Sequence, residues 1–273
     1  MKKAFKLIAL MAVVIGLIVA AGCGAKKEAA GPTPKQPEAV QPAQPAQPAE
    51  QPVLKIGTEA AYAPFEYVEN EKITGFDAEF VTAIAEAMGM KPELTHVEWD
   101  GLYPALNTGQ IDIVISAMTI TDERKKEVNF SDPYFEAQQI IAIKEGAAIK
   151  GLKDLIGKPV GVQANTTGQY VLEKVEGLKK EDIKPYPTTP DAMMNLVNGS
   201  VQAVVADSPV VLNFIKTNAD AKLTTVDDNF EKEYYGMAIK KDNTELVTKV
   251  NEAIKTIKAN GKYDEIYNKY FGK

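Results

Sequence analysis

Four residue types are nearly missing from this chain of 273 residues, since cysteine, histidine, tryptophan and arginine occur once each. The single Cys23 excludes an intrachain disulfide. The single His96 has no cysteine near it, which makes it a poor metal ligand, and we expect it at the surface. No Ser-His-Asp arrangement and no glycine-rich phosphate loop is present, so we expect neither a metal nor a cofactor.

The chain also lacks an excess of basic residues. Its formal net charge is −6, and residues 1–22 contain three lysines and no acid, so the chain without them carries −9. Nucleic-acid binding requires a basic face that neutralises phosphates. The charge therefore argues against a nucleic-acid partner.

A long apolar run occurs only at the N-terminus, from Leu7 to Ala21, after Lys2, Lys3 and Lys6. A basic start, a short apolar run and small residues at its end are typical of a secretion signal, and we assign residues 1–22 to it. The spelling "VAAGC" resembles the lipobox of bacterial lipoproteins, which predicts a lipid on Cys23 and anchoring at the outer face of the cytoplasmic membrane or in the periplasm. An ordinary signal peptide with an incidental cysteine is the alternative.

Residues 23–52 are rich in proline, glutamine and alanine and contain few large apolar side chains. Such a segment buries too little surface to fold, and its prolines favour an extended conformation. We predict a tether between the lipid and a globular body. A proline-rich ligand for a recognition domain is the alternative.

The body, residues 53–273, alternates strand-like and helix-like segments. "VLKIGTE" and "KPELTHVEW" read as strands, and "IDIVISAM" as a continuous buried parallel strand. Segments with helical spacing lie between and after them, and "NTELVTKVNEAIKTIKANG" and "KYDEIYNKYFG" close the chain as amphipathic helices. The pattern predicts an α/β fold, and two such units suggest two lobes with a cleft between them.

Five segments carry a specific resemblance, namely "GFDAEF", "ITDERKKEVNFSDPYF", "GVQANTTGQY", "ADSP" and "NGKYDEIYNKYFG". In this order they resemble the polar amino-acid-binding proteins of ABC importers, which include glutamine and arginine/lysine/histidine receptors. The resemblance implies the two-lobed periplasmic-binding-protein fold (type II). It implies one lobe from residues 53–136 and 232–273, another from 137–231, and hinge crossings near 134–138 and 231–235.

The same resemblance implies a function. The protein would be a monomer that closes on a free polar L-amino acid and delivers it to an ABC permease and its ATPase. Arg124 would grip the ligand carboxylate, because a guanidinium makes two parallel hydrogen bonds to a carboxylate and lysine does not. A surface ion pair with Glu127 is the alternative. Ser116, Ala117 and Thr119 would complete this subsite.

Across the cleft, Thr166 and Thr167 lie where a helix begins, and free N–H groups at such a terminus attract carboxylates. Simple N-caps are the alternative. Asp207 follows a buried strand, at the edge where α/β sheets bind ligands. By resemblance it receives the α-ammonium, although it could equally cap the next helix.

Glu59, Tyr62 and Trp99 would meet the ligand side chain. Two aromatic faces and one acid suit a flat cation, although the aromatics could belong to the core and Glu59 could accept hydrogen bonds from glutamine. Gln163 and Ala206 depart from the charged or imidazole groups of some glutamine receptors, so we favour arginine or lysine, then glutamine. The alternative function is a cyclohexadienyl dehydratase-like enzyme on the same scaffold, with Glu59 as general acid.

Overall fold

A computed structural model describes residues 51–272. Its strands are β1 (Val53–Thr58), β2 (Ala61–Tyr62), β3 (Glu66–Glu69), β4 (Lys72–Thr74), β5 (Lys91–His96), β6 (Ile113–Val114), β7 (Val128–Phe130), β8 (Phe135–Lys144), β9 (Val160–Gln163), β10 (Ile183–Tyr186), β11 (Ala203–Asp207), β12 (Leu223–Val226), β13 (Lys232–Tyr235) and β14 (Ala238–Lys240). Its α-helices are α1 (Phe76–Ala87), α2 (Leu102–Thr108), α3 (Asp122–Glu127), α4 (Thr167–Glu173), α5 (Thr189–Asn198), α6 (Ser208–Thr217), α7 (Thr244–Ala259) and α8 (Lys262–Phe271). Between positions 51 and 272, none of the helices has the length and apolar character needed to cross a bilayer.

The first lobe is built on a sheet with the strand order β5-β1-β6-β14-β7. β1 runs parallel to β5 and β6, and β14 runs antiparallel to β6 and β7. Phe76 and Phe80 of α1 are fully buried in its core, together with Phe65 from the turn that joins β2 to β3 of the small antiparallel sheet β2-β3-β4. An apolar stripe on α1 therefore holds the small sheet and both terminal helices on the lobe.

The segment "IDIVISAM" forms a shorter strand than its apolar run predicts. The run is almost wholly buried, but only Ile113 and Val114 belong to β6. The chain leaves the ladder at Ser116, and Ala117 has a φ of 43°. An apolar run indicates burial, and here part of the buried run forms a loop at the carboxyl end of the sheet.

The second lobe is built on a sheet with the order β10-β9-β11-β8-β12. β9 runs parallel to β10 and β11, whereas β8 runs antiparallel to β11 and β12. α4, α5 and α6 pack on this sheet. The carboxyl ends of β9 and β11 carry Gln163 and Asp207, so both side chains reach the same edge.

The chain crosses between the lobes on two paired strands. β8 begins at Phe135, directly after the first-lobe segment that contains β7, and continues into the second sheet. β13 pairs with it antiparallel, from Phe135 opposite Tyr235 to Gln138 opposite Lys232, and β14 then rejoins the first sheet. The expected α/β fold with two hinge strands is confirmed. The lobe bounds at 136/137 and 231/232 stay a prediction.

Candidate functional site

A narrow cavity lies between the carboxyl-terminal edges of the two sheets. The eleven residues that the sequence predicts as ligand-binding all line it, although their roles stay predictions. They are Glu59, Tyr62, Trp99, Ser116, Ala117, Thr119, Arg124, Gln163, Thr166, Thr167 and Asp207. Gln139, Gly168, Thr189 and Ala206 complete the wall. Cys23, the predicted lipid site, lies outside the described residues, as do the signal peptide and almost all of the tether.

Arg124 projects from α3 into this cavity. The Thr121 side chain caps the helix by accepting a hydrogen bond of 3.1 Å from the Arg124 N–H, which fixes where the guanidinium starts. Nη1 donates to the carbonyl of Thr119 at 2.9 Å, and Nη2 donates to the carbonyl of Asn165 at 3.3 Å. The guanidinium also lies 5.3 Å from the ring centre of Trp99.

None of the ion pairs formed by residues 51–272 includes Arg124, so the alternative pair with Glu127 is wrong. A guanidinium has five N–H donors, and Arg124 uses two of them on carbonyls. A buried cation without an opposing charge is costly, and an incoming carboxylate would remove that cost.

The second-lobe wall begins with α4. Thr166 stands at its N-cap, yet neither threonine hydroxyl caps the helix: Thr166 Oγ1 donates to the carbonyl of Gln163 and Thr167 Oγ1 donates to Glu233 Oε2. Gly168 allows the helix to start close to the sheet, because a Cβ there would lie 2.9 Å from the carbonyl oxygen of Val205. The first N–H groups of α4 thus lie beside the cavity.

Asp207 is the N-cap residue of α6, but its side chain turns away from the helix. Oδ2 accepts hydrogen bonds from the hydroxyls of Tyr62, at 2.8 Å, and Tyr235, and Oδ1 accepts from the Gln139 amide. Burial raises the pKa of Asp207 to about 6, and the charge of Glu233 adds to this. The capping alternative is therefore wrong for this side chain, which faces the cleft.

Glu59 belongs to a hydrogen-bonded row across the cleft. Thr189 Oγ1 donates to Gln163 Oε1, and Gln163 Nε2 donates to Glu59 Oε2, both at 2.9 Å. This order fixes the amide orientation of Gln163. The second oxygen, Glu59 Oε1, is buried and has no hydrogen-bond partner among residues 51–272. Burial raises the pKa of Glu59 to about 7, and the nearby Glu98 adds to the shift. The side chain thus offers one free acceptor to the cavity.

The two predicted aromatics have partners inside the protein. The Tyr62 hydroxyl is bound to Asp207, and Trp99 Nε1 donates to the carbonyl of Asn165 at 3.3 Å. Asn165 Nδ2 in turn donates to Asp100 Oδ1 at 2.8 Å. Because these bonds join the two lobes, the structure represents a closed arrangement.

Gln139 and Glu233 belong to the site but are absent from the sequence-based set. Glu233 Oε2 accepts from the hydroxyls of Thr119, at 2.6 Å, and Thr167, at 2.8 Å, and its Oε1 accepts from Gln139 Nε2 at 3.2 Å. Both residues lie on the crossing strands. Side chains two residues apart on a strand point to the same face, so Glu233 lies on the same face as Tyr235. This alternation could have identified Glu233 from the sequence.

His96 is exposed, as expected. Its Nδ1 accepts a hydrogen bond of 3.0 Å from the N–H of Ala60, and Nε2 lies 3.3 Å from Glu98. Across residues 51–272 no cluster of three histidine, cysteine, aspartate or glutamate side chains could hold a metal ion.

Residues 54–273 match the family model described as bacterial extracellular solute-binding proteins, family 3. The chain belongs to this family. It is 37% identical over 224 residues to a probable histidine-binding protein of Neisseria gonorrhoeae, covering 81% of this chain and 84% of the relative. It is 38% identical over 227 residues to the L-arginine-binding protein of Pseudomonas aeruginosa, covering 80% of this chain and 87% of that relative.

Solved structures agree with this assignment. The arginine-, lysine-, histidine-binding protein ArtJ from Geobacillus stearothermophilus is 47% identical, with a TM-score of 0.78, over 82% of this chain and 96% of that one. An ancestral amino-acid-binding protein described as a precursor of cyclohexadienyl dehydratase is 40% identical, with a TM-score of 0.73, over 80% of this chain and 95% of that one. The resemblance inferred from the five segments and the two-lobed fold are confirmed.

Proposed function

We propose that this family member is the substrate-binding lipoprotein of an ABC amino-acid importer. It captures a polar amino acid, arginine or lysine before glutamine, by lobe closure and delivers it to the membrane permease. The observation that carries this proposal is the charge arrangement of the cavity. Among residues 51–272, Arg124 is the one cation lining it, and Glu59 and Asp207 are the two acids lining it.

The three charges suit the three ends of a cationic amino acid. Arg124 and the start of α4 receive the α-carboxylate, and Asp207 receives the α-ammonium. Glu59 Oε1, which has no partner, receives the charged side chain. With both acids ionised the lining carries a net charge of −1, and Glu233, which accepts hydrogen bonds from lining residues, adds to the negative charge around the cavity, so a ligand of net charge +1 is favoured. A zwitterion such as glutamine leaves that charge uncompensated unless Glu59 keeps a proton.

The relatives support the same ligand class, since two of them are described as histidine- and L-arginine-binding proteins and the similar structure as an arginine-, lysine-, histidine-binding protein. Closure follows from a ligand that contacts both lobes only when they meet. We further propose that Cys23 carries the lipid anchor and that the protein acts as a monomer.

Mass spectrometry of the ligand retained by the purified protein tests this proposal. We expect arginine or lysine, and protein prepared by unfolding and refolding should lose the retained mass and regain it on adding arginine. A retained compound that is not an amino acid would contradict the assignment.

The alternative, an enzyme that dehydrates a prephenate-like compound, has one observation in its favour. A carboxyl group with a pKa of about 7, such as Glu59, suits a general acid. A dicarboxylate, however, would meet two acids and one cation. We propose that the protein is not an enzyme, and turnover of prephenate by the purified protein would overturn this.

A further inference from the structure

A second pair of carboxyl groups lies outside the cavity. Glu66 of β3 and Asp77 of α1 are both 0% exposed, and neither lines the cavity. Their partners are consecutive residues, Ser116 for Glu66 and Ala117 for Asp77, so the two carboxyl groups lie next to each other in the first lobe. The proposed capture of an amino acid gives neither of them a role.

Each carboxyl group has one oxygen with donors and one without. Glu66 Oε1 accepts a hydrogen bond of 2.9 Å from Ser116 Oγ. Asp77 Oδ2 accepts from the N–H of Ala117 at 2.8 Å and from the Tyr134 hydroxyl at 2.7 Å. Glu66 Oε2 and Asp77 Oδ1 are buried, and no other group in the described part of the chain (51–272) donates to them.

These contacts leave one place for a proton. Two carboxylates are both acceptors, so they can hydrogen bond only if one of them is protonated. Glu66 Oε1 and Asp77 Oδ2 already accept from O–H or N–H groups. The two oxygens without such a donor, Glu66 Oε2 and Asp77 Oδ1, are therefore the positions most open to a proton. Because Asp77 accepts two further hydrogen bonds, it is the better anion and Glu66 the better acid.

The surroundings agree with a single proton. Burial raises the pKa of Asp77 to about 6 and that of Glu66 well above its usual range. The charge of Asp77 raises the pKa of Glu66 further, whereas the hydrogen bond with Glu66 lowers the pKa of Asp77, so the two groups differ in how readily they ionise. The titratable groups that face the pair are Glu59, whose charge raises the pKa of Glu66 further, and the hydroxyls of Tyr62 and Tyr134, with Tyr263 behind Tyr134.

We propose that Glu66 and Asp77 share one proton, and that the pair positions the two backbone segments that form the floor of the cavity. Ser116 Oγ donates to Glu66 and accepts the N–H of Glu59 at 3.0 Å, so Glu66 fixes the residue that faces the ligand side chain. Asp77 holds the N–H of Ala117, whose φ of 43° is unusual for a residue with a Cβ. Both are positioning residues, and the role toward a ligand rests on the proposed function.

A cycle of amide substitutions tests the shared proton. In Glu66→Gln the new NH₂ takes the place of the acid proton and donates to the Asp77 carboxylate. In Asp77→Asn the new NH₂ donates to an ionised Glu66. Each single variant therefore keeps one hydrogen-bond donor between the two side chains. In the double variant two NH₂ groups face each other. We expect its arginine affinity to fall at least tenfold below the product of the single effects, and its melting temperature to fall by more than their sum.

The matched control is the pair Glu69→Gln and Asp220→Asn, both exposed, whose effects should add in their double variant. Additive effects for the buried pair would overturn the shared proton.

Infrared difference spectroscopy keeps the proposal testable if the double variant does not fold. At about pH 9 the exposed acids are ionised, and so is Glu59 with its pKa of about 7, so a protonated-carboxyl C=O band retained by the native protein reports the Glu66–Asp77 pair. This band should disappear in Glu66→Gln and in Asp77→Asn and persist in Glu69→Gln. A native protein without this band, or a band that survives in Glu66→Gln, would contradict the proposal. The spectrum and the melting temperatures need no ligand, so they stand apart from a failure of arginine to bind.

Discussion

The Tyr62 hydroxyl donates a hydrogen bond of 2.8 Å to Oδ2 of Asp207 across the cleft. Tyr62 belongs to the small sheet of the first lobe and Asp207 ends a strand of the second. A direct bond between two predicted ligand residues means that closure and ligand contact use the same side chains.

We expect Tyr62→Phe to weaken ligand binding by about 1 kcal/mol, the usual contribution of one hydrogen bond. The aromatic ring is retained, and Asp207 keeps its hydrogen bonds from Tyr235 and Gln139. The substitution should therefore mainly destabilise the closed state, in which the lost hydrogen bond joins the two lobes. Calorimetry gives the affinity, and fluorescence transfer between labels on the two lobes gives the closed fraction. Tyr267→Phe, at an exposed ring, is the control. An unchanged closed fraction would show that this bond does not contribute to closure.

Arg124→Lys should weaken the binding of every amino acid by a similar amount, on the order of 1–3 kcal/mol, because the carboxylate is common to all ligands. Lysine loses the two-pronged contact and the planar group beside Trp99. Lys126→Arg, the reverse exchange at an exposed position on the same helix, should change nothing. Unchanged affinities in Arg124→Lys, measured by calorimetry, would remove this residue from the site.

Arginine binding should release protons near neutral pH, whereas glutamine binding should release fewer. The pKa of Glu59 is raised to about 7 in the closed arrangement without a ligand, and a cation beside it lowers the pKa, so the acid loses its proton on binding. Arginine affinity should therefore rise as the pH passes upward through about 7.

Calorimetry in two buffers of different ionisation enthalpy measures this release. Asp207, with a pKa of about 6, contributes for every ligand, so the difference between arginine and glutamine isolates Glu59. Glu59→Gln should abolish the difference, and an equal release for both ligands in the native protein would refute the pairing.

Cys23→Ser should leave ligand binding intact and release the protein from the membrane fraction. The body contains no other thiol, and a proline-rich segment separates it from Cys23. Fractionation of cells that secrete the variant measures the change, with the native chain as the reference. A variant that remains in the membrane fraction would contradict lipidation at this cysteine.

The sequence predicted the parts of the site that depend on local features. Arg124 was identified because arginine is unique in the chain and opens a helix, and Asp207 because it ends a buried strand. Both side chains line the cavity. The hydroxyls of Thr166 and Thr167 were harder to assign, because a cap and a cleft contact require the same residue type at the same place.

The parts that were missed depend on how distant segments pair. Gln139 lies in the apolar strand β8, and Glu233 in a polar segment that looks like a surface strand. Their meeting is decided by the register of β8 and β13 and by closure of the lobes. The contact between Glu66 and Asp77 depends in the same way on how α1 packs on the small sheet. The hydrophobic periodicity of each segment does not show how the two segments pack together.

The central claim is that the cavity recognises an amino acid with a cationic side chain. A thermal-shift panel of the twenty amino acids, run on the native protein and on Glu59→Gln, tests it directly, because stabilisation follows the ratio of ligand concentration to dissociation constant. We predict the largest shifts for arginine and lysine, a smaller one for glutamine, and a narrowed or reversed order in Glu59→Gln. A largest shift for glutamine with none for arginine, or no shift for any amino acid, would contradict the account.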